Sequence, residues 1–172
     1  YLVAVAKIDA ETLSPQARLT YDVFRSRRQL AIESFDFPQQ LLPIDQFNNP
    51  AGDFAVLGSG SGAHPFGSPK DYQDFIHRMD GMRVWIDQAI ANMREGVKHD
   101  VTQPRPVIEK VLPQLKTLAM ARVEDSIFFQ PLNELPDGID AATRQRLVTD
   151  YRAAIQRTLT SYRRLYDYMS TE

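Results

Sequence analysis

Apolar residues recur at alternating spacings of three and four in two long stretches of the chain, and this spacing is typical of amphipathic helices. Ser68-Pro69 precedes the first stretch and Asp140 precedes the second. Serine and aspartate side chains accept hydrogen bonds from the unpaired N–H groups of a helix's first turn, and proline suits its first position. The two apolar stripes consist of Tyr72, Phe75, Met79, Met82, Ile86, Ala89 and Met93, and of Leu147, Val148, Tyr151, Ile155, Leu159, Tyr162, Leu165, Tyr166 and Met169. We therefore predict two long helices, over about residues 68–95 and 141–169.

Three further segments have helical patterns between breaking residues. Residues 1–8 resemble the end of a helix, and Ser14-Pro15 opens another that should end at Pro38. A third should run from about residues 102–106 to Val123, with a kink at Pro113 because proline removes one hydrogen bond of the helix. The pattern predicts an all-α fold: a bundle of about four to five helices in which the two long stripes pack against the helix at 102–123.

Residues 38–67 lack a helical period and are rich in proline, glycine and serine. We predict a long irregular loop there, although thirty residues without regular structure are unusual inside a compact domain. The apolar residues 54–57 fit either a short strand or an apolar anchor. Gly58, Gly60 and Gly62 alternate with serines, which is typical of a flexible run.

Two glycines in the first long stripe call for separate explanations. Gly96 is well placed as a left-handed residue that ends the helix. Gly81 lies in the middle of the helix, where glycine costs about 1 kcal/mol relative to alanine. A close approach of another helix would explain Gly81, but the sequence alone does not show one.

Composition and charge exclude several classes of protein. Apolar residues make up 43% of the chain and charged residues 24%, which is ordinary for a globular protein. The formal net charge of −2 gives no basic footprint for nucleic acid. Cysteine is absent, which excludes disulfides and thiolate sites. The apolar start at residues 1–6 is shorter than the roughly 20 residues of a membrane span, and no feature selects a cellular compartment.

The three histidines do not form a recognisable metal motif. A zincin helix needs two histidines one turn apart, with a glutamate beside the first, so that both rings face one ion. Glu95 and His99 have helical spacing, but we expect a helix break after Gly96 to separate their faces. His77 fits an ordinary residue at the edge of the first long helix. We therefore predict no metal ligand in this chain.

Nucleophilic and phosphate-binding motifs are also incomplete. The glycine–serine run has no Lys-Ser or Lys-Thr after it, and it does not lead from a strand into a helix. Ser59 and Ser61 lack the strand–turn–helix setting of a serine nucleophile. Glu124 and Asp125 are sequence neighbours whose side chains would point apart on a helix. The sequence thus predicts no catalytic and no cofactor-binding residue.

Several strings, taken in order, resemble one bacterial protein family. These are LSPQARLTYDVF, then HPF before the first long helix, WIDQAIANMREG on it, a VTxPR break leading to VIExVxxQL, a DxxFFQPLxxLP connector, and the last long helix, ATRQRLVTDYRAAIQRTLTSYRRLYDYM. In this order they resemble the N-terminal half of the bacterial domain-of-unknown-function family 885.

The resemblance carries expectations about the protein as a whole. Members of that family are similar to helical, zincin-type metallopeptidases, and their His-Glu-x-x-Pro-Gly-His-His metal motif would lie beyond residue 172. We therefore expect residues 1–172 to be a single helical N-terminal region of a larger protein. That region would be a non-catalytic scaffold with no cofactor of its own. The missing C-terminal part, and any zinc, would belong to the full-length bacterial parent, whose compartment the sequence leaves open, with an exported or periplasmic location as one option.

Two questions stay open on the sequence alone. His64-Pro65-Phe66 places His64 either at the rim of a substrate cleft or in a rigid lead-in to the long helix, and we favour the lead-in. The alternative to a peptidase scaffold is a stand-alone helical protein-interaction module. We also expect apolar residues on the outer side of the last helix and in residues 38–67 to face water. Such surfaces recruit partners, so we predict a homo-oligomer or a mobile 38–67 loop.

Overall fold

A computed structural model describes residues 1–172, and its packing divides them into two units, residues 1–39 and 40–172. All regular structure is helical and no strand is present, which confirms the all-α prediction. The helices are α1 (Leu2–Val5), α2 (Pro15–Glu33), α3 (Pro50–Leu57), α4 (Pro69–Lys98), α5 (Arg105–Ala119) and α6 (Ala141–Thr171). Short 3₁₀ turns occupy Ala10–Thr12, Ser34–Asp36, Gln39–Leu41 and Ile127–Asn133. No helix is both long enough and apolar enough to span a bilayer.

The first unit consists of α1, α2 and two 3₁₀ turns. The Ser14 hydroxyl accepts a hydrogen bond from the N–H of Ala17 at 3.3 Å, and Pro15 occupies the first helical position, as predicted. Arg18 joins α2 to the preceding turn through the Ala10 carbonyl and the Glu11 carboxylate. Neither α1 nor α2 contains a buried residue. The first unit therefore has no buried core of its own.

The second unit is built around α4 and α6, which have 30 and 31 residues. Both begin at the predicted caps: the N–H of Asp71 donates to Ser68 Oγ, and the N–H of Thr143 donates to Asp140 Oδ1. These lengths far exceed the globular average of 11–12 residues. Long helices of this kind depend on packing rather than on intrinsic propensity, and both apolar stripes are indeed largely buried.

The α4 and α6 helices run parallel to each other. Three ion pairs join them along their length: Asp80 with Arg157, Asp87 with Arg164, and Arg94 with Glu172. Residue numbers rise together along both helices, with a nearly constant separation. The rings of Tyr72 and Tyr151, 5.4 Å apart, continue the same register toward the N-terminal ends. The apolar stripes therefore face each other in the manner of a coiled-coil seam, flanked by charges.

The α5 helix runs back along α6 and packs against it, but it makes few contacts with α4, so the predicted packing of both long helices on this helix holds for α6 alone. Its start, at Arg105 and Ile108, lines a groove with Val97 and Met169, so α5 begins beside the ends of α4 and α6. Its buried residues are Val111, Leu115 and Ala119. The helix continues past Pro113 but ends at Ala119, four residues before the predicted end.

An arginine on α6 explains where α5 stops. Arg163 Nε donates to the Ala119 carbonyl at 2.8 Å, and a second guanidinium nitrogen donates to the Ala121 carbonyl at 3.4 Å. These carbonyls lie at the end of the helix, where no N–H within the helix reaches them. A positive charge there also interacts favourably with the helix dipole. The end of α5 is thus fixed by α6, which local sequence does not reveal.

The predicted irregular loop at 38–67 is wrong in its middle, because residues 50–57 form the helix α3. Neither the short strand nor the simple anchor considered for residues 54–57 is present. The Asn49 side chain accepts a hydrogen bond from the N–H of Gly52, and Pro50 follows at the first helical position. This cap resembles those of the long helices. Because both faces of so short a helix carry apolar residues, no helical period marks it in the sequence.

Three hydrogen bonds attach residues 44–51 to the rest of the second unit. Tyr162 on α6 donates to the Ala51 carbonyl at 2.7 Å. The Asn49 amide donates to Gln114 on α5, and the Gln103 amide donates to the Ile44 carbonyl. Ile44 and Ala51 themselves are fully buried. This segment therefore contributes to the core.

The predicted role of Gly96 as a left-handed cap is also wrong. The α4 helix runs on to Lys98, and the residue with positive φ is Asp100, at 57°. The N–H of Val101 donates to the Gly96 carbonyl, and the N–H of Asp100 donates to the Val97 carbonyl. This is the Schellman pattern with aspartate in the left-handed position. Glycine at 96 instead permits close packing, because a Cβ there would lie 2.4 Å from the Val101 carbonyl oxygen.

The close helix approach that would explain Gly81 is absent. A Cβ built on Gly81 has no atom within 4 Å, and the residue is exposed on α4. The other stripe residues and the flanking ion pairs carry the contact with α6 instead.

Replacing Gly81 by alanine is expected to stabilise the protein by up to about 1 kcal/mol, because alanine costs less backbone entropy in a helix and meets no clash. Urea unfolding followed by far-UV circular dichroism measures the change. Gly96→Ala is the matched control, for which we expect the opposite sign because its methyl group would collide with the backbone at Val101. Equal effects of both substitutions would contradict this account.

Exposed apolar side chains occur at only one of the two predicted places. No large apolar residue of α6 is exposed: Tyr151, Tyr162 and Tyr168 are buried. The predicted apolar outer side of the last helix is therefore wrong, because its tyrosines point inward and its outer positions are polar. Within residues 38–67, Phe47 and Val56 are exposed, as predicted for that region.

Candidate functional site

The second unit contains an open cleft of about 920 Å³, which we call the connector cleft. Three segments form its walls: the glycine–serine turn after α3, the end of α5, and the connector before α6. It is lined by Ser59, Gly60, Ser61, Phe66, Thr117, Leu118, Ala121, Asp125, Ser126, Ile127, Gln130, Pro131 and Glu134.

The glycine–serine turn forms a closely packed edge of this cleft. The Ser59 hydroxyl donates to the Val56 carbonyl at 2.8 Å and lies 3.0 Å from the Ser61 hydroxyl. A Cβ at Gly58 would lie 2.3 Å from Cζ of Phe75, and one at Gly62 would lie 2.4 Å from the Val56 carbonyl. Glycine is therefore required here by close contacts, whereas the sequence had indicated a flexible run.

The floor of the cleft rests on an aromatic cluster. Phe66 packs on Tyr72 and Phe75 with ring centroids 5.0 and 5.4 Å apart. The buried Tyr72 hydroxyl donates to the carbonyl of Pro131 at 2.7 Å, which ties the connector to α4. Burial raises the pKa of Tyr72 to about 12, so the hydroxyl keeps the proton that it donates. The connector wall is thus held from beneath by the core.

Charge in the cleft comes from two carboxylates in different settings. Asp125 pairs with Arg122 at 2.6 Å, and the hydrogen bond from that guanidinium lowers the pKa of Asp125. Glu134 is exposed and takes part in none of the protein's ion pairs. Glu124 instead pairs with Arg152 of α6. Glu124 and Asp125 thus point to different partners, although they lie in a turn and not on the helix that the sequence-based argument assumed.

His64 lies beneath the cleft rather than on its lining. It is 7% exposed, and its Nε2 is 2.9 Å from the Asp71 carbonyl oxygen. Its ring contacts those of Phe66 and Phe75, with centroids 4.8 and 4.9 Å away. Phe66 in turn packs on Tyr72 in the first turns of α4. This geometry suits a rigid lead-in to α4, the alternative that we favoured for this residue.

The other two histidines lie elsewhere. His77 is exposed on α4. His99 Nε2 is 2.9 Å from Glu95 Oε1, so the expected separation of these two side chains is wrong. They meet because α4 continues past Gly96 and keeps the spacing of one turn. No three His, Cys, Asp or Glu side chains are grouped so that they could hold a metal ion.

The cleft offers hydrogen-bonding groups but no paired nucleophile and base. The hydroxyls of Ser59 and Ser61 bond to each other, and the Val56 carbonyl accepts from Ser59. His64 Nε2 bonds to the Asp71 carbonyl and His99 Nε2 to Glu95, so neither nitrogen is paired with a serine of the cleft. Such a surface can bind and orient a polar ligand. The sequence analysis missed Gln130 and Glu134 as lining residues, although the connector string that contains them carried part of the resemblance.

Comparison with known proteins gives one match. A family profile described as a bacterial protein of unknown function (DUF885) matches residues 1–172. Neither a curated protein nor a solved structure matches the chain significantly.

Proposed function

The chain belongs to the bacterial DUF885 family, and on that premise we propose that it is a non-catalytic helical scaffold that forms one wall of a substrate cleft. The active centre would be that of a metallopeptidase-like protein whose zinc motif lies outside these residues. The supporting observation is that two strings by which the chain resembles the family meet at the connector cleft. Phe66 comes from the HPF string, and Gln130 and Pro131 come from the FFQPL string.

The rigidity of this wall also supports a scaffold role. Hydrogen bonds from Tyr72 and Arg163 tie the connector and the end of α5 to the long helices. Binding residues held by well-packed elements lose little freedom when a ligand binds. The histidines of this chain are a poor donor set for zinc, because His64 bonds to a backbone carbonyl and His99 to a single glutamate. In this proposal the chain contributes binding and orientation, and zinc belongs to the parent protein.

The test compares the 172-residue chain with a longer product of the same gene that contains the His-Glu string. We expect the 172-residue chain to retain no stoichiometric zinc after dialysis and to cleave no peptide, whereas the longer product should cleave peptides and lose activity to a chelator. Zinc retained by the short chain and lost in His64→Ala or His77→Ala would overturn the proposal, as would chelator-sensitive cleavage by the short chain.

Substitution in the cleft tests the wall directly. In the longer product, Gln130→Ala should raise KM about two- to twelvefold, the worth of one hydrogen bond to a neutral group, with kcat and zinc content unchanged. Gln88→Ala is the control, since Gln88 is exposed on α4 and bonds only to Asn92. Unchanged KM in Gln130→Ala would remove the connector cleft from the proposal.

A second candidate is a stand-alone helical interaction module. The observation that favours it is the closed core of residues 40–172, where α6 leaves no large apolar side chain in water. The peptidase-scaffold proposal predicts self-association of the chain or a mobile 38–67 segment, because part of its surface would be covered only by the rest of the parent protein. Light scattering that shows a strict monomer, together with hydrogen exchange that shows residues 38–67 protected, would favour the module.

A further inference from the structure

Phe66 is the single aromatic side chain among the residues that line the connector cleft. Its ring is held by four others: those of His64, Tyr72, Phe75 and Tyr151, at centroid distances of 4.8, 5.0, 5.4 and 6.2 Å. Phe66 is only partly buried, so some of its ring faces the cleft. A ring that is already fixed by its neighbours loses no side-chain freedom when a ligand packs on it.

Several polar side chains line the cleft together with Phe66, and some of them are available to bind a ligand. Gln130 and Glu134 line the cleft with exposed side chains, so the Gln130 amide, which can donate and accept, and the Glu134 carboxylate are both open to a ligand. Asp125 is neutralised by Arg122, so Glu134 supplies the unpaired negative charge of the cleft. A ligand that suits this surface has an aromatic ring to pack on Phe66, amide groups to pair with Gln130 and a positive charge to face Glu134.

We propose that Phe66 is the platform on which the connector cleft holds an aromatic side chain of a peptide, with Gln130 pairing with a peptide amide and Glu134 facing the peptide's amino group. The choice of a peptide rests on the proposed function, whereas the preference for an aromatic residue rests on Phe66 itself. Offset or edge-to-face ring pairs are worth about a two- to twelvefold gain in affinity beyond the area that they bury.

The probes are three tripeptides with free amino groups and amidated carboxyl ends: Ala-Phe-Ala, Ala-Leu-Ala and Ala-Ala-Ala. Binding to the 172-residue chain is measured by NMR titration. We expect Ala-Phe-Ala to bind about two- to twelvefold more tightly than Ala-Leu-Ala. The signals of the Leu118 and Ile127 methyl groups, which line the cleft, should show ring-current shifts with the aromatic peptide alone.

Variants separate the ring contact at Phe66 from the charge contact at Glu134. Phe66→Leu should abolish the aromatic preference, whereas Phe47→Leu, at a residue 90% exposed and outside the cleft, should keep it. Glu134→Gln should weaken all three peptides alike, and added salt should reduce the difference between this variant and the parent. If Phe66→Leu does not fold, the ring-current shifts on the unaltered chain decide the question.

Two results would overturn the inference. One is equal affinity for the phenylalanine and leucine peptides, or a preference that survives in Phe66→Leu, and this would leave the scaffold proposal intact. The other is that no tripeptide binds, or that the shifted signals lie outside the cleft. The scaffold proposal fails separately, if the 172-residue chain retains stoichiometric zinc or cleaves peptides in a chelator-sensitive way.

Discussion

Replacing Phe75 by alanine is expected to lower the free energy of unfolding by about 3–5 kcal/mol, the usual range for a large buried aromatic residue. Phe75 is fully buried and stacks on Phe54 at 5.2 Å. It also contacts Phe128 and Tyr151, so it joins α3, α4, α6 and the connector. The loss would be a large part of the 5–15 kcal/mol that stabilises a typical domain.

Urea unfolding followed by circular dichroism measures this loss, and Phe47→Ala is the matched control. Phe47 is 90% exposed, so its truncation should change the free energy of unfolding by less than about 0.5 kcal/mol. If Phe75→Ala cost less than 1 kcal/mol, which is below the range for buried aromatics, the aromatic cluster would not be the centre of the core described here.

Two buried tyrosines are expected to respond in opposite directions when each loses its hydroxyl. Tyr151 and Tyr162 are both fully buried on α6. The Tyr162 hydroxyl donates to the Ala51 carbonyl, whereas the Tyr151 hydroxyl has no hydrogen-bond partner in the protein. Burial raises the pKa of both side chains, which keeps them neutral. The two substitutions therefore differ mainly in one hydrogen bond.

Tyr162→Phe should destabilise the protein by about 1–3 kcal/mol, the cost of leaving a buried polar group without its partner. Tyr151→Phe should be neutral or stabilising, because it removes a hydroxyl that the protein does not pair. Denaturation midpoints of the two variants, compared at equal slope, measure the difference. A cost for Tyr151→Phe as large as that for Tyr162→Phe would show that its hydroxyl has a partner in solution.

The long helices were predictable because their signals are local. A cap such as Ser68 or Asp140 and the next few apolar residues lie within one or two turns, so the sequence carries both the start and the buried face. The α3 helix has an equally local cap at Asn49-Pro50. It was missed because eight mostly apolar residues show no periodic face from which a helix can be distinguished from a strand.

Glycine roles could not be predicted, because they depend on atoms distant in sequence. Gly58 is needed because the rings of Phe75 and Phe128 approach it, and Gly96 because Val101 turns back over it. Gly81 has no such neighbour. In the sequence, Gly81 and Gly96 are both glycines in an amphipathic helix, and only the folded chain distinguishes them.

The candidate site was the least predictable part. Its lining comes from three segments, and its polar residues, such as Ser61, Gln130 and Glu134, match no catalytic or phosphate-binding motif. The resemblance marked the HPF and FFQPL strings, but their meeting in one cleft depends on Phe66 packing over Tyr72 and on the bond from Tyr72 to Pro131. Such pairings are set by tertiary packing.

The parallel seam between α4 and α6 has a consequence for how the protein is made. Its ion pairs join residues 77 and 78 positions apart, so α4 leaves the ribosome long before its partner. At about 5–20 residues per second, the apolar stripe of α4 waits roughly 4–15 s for α6. Contacts of such long range also slow folding, because a large loop must close before they form. During synthesis, the apolar stripe of α4 is thus open to a chaperone until α6 emerges.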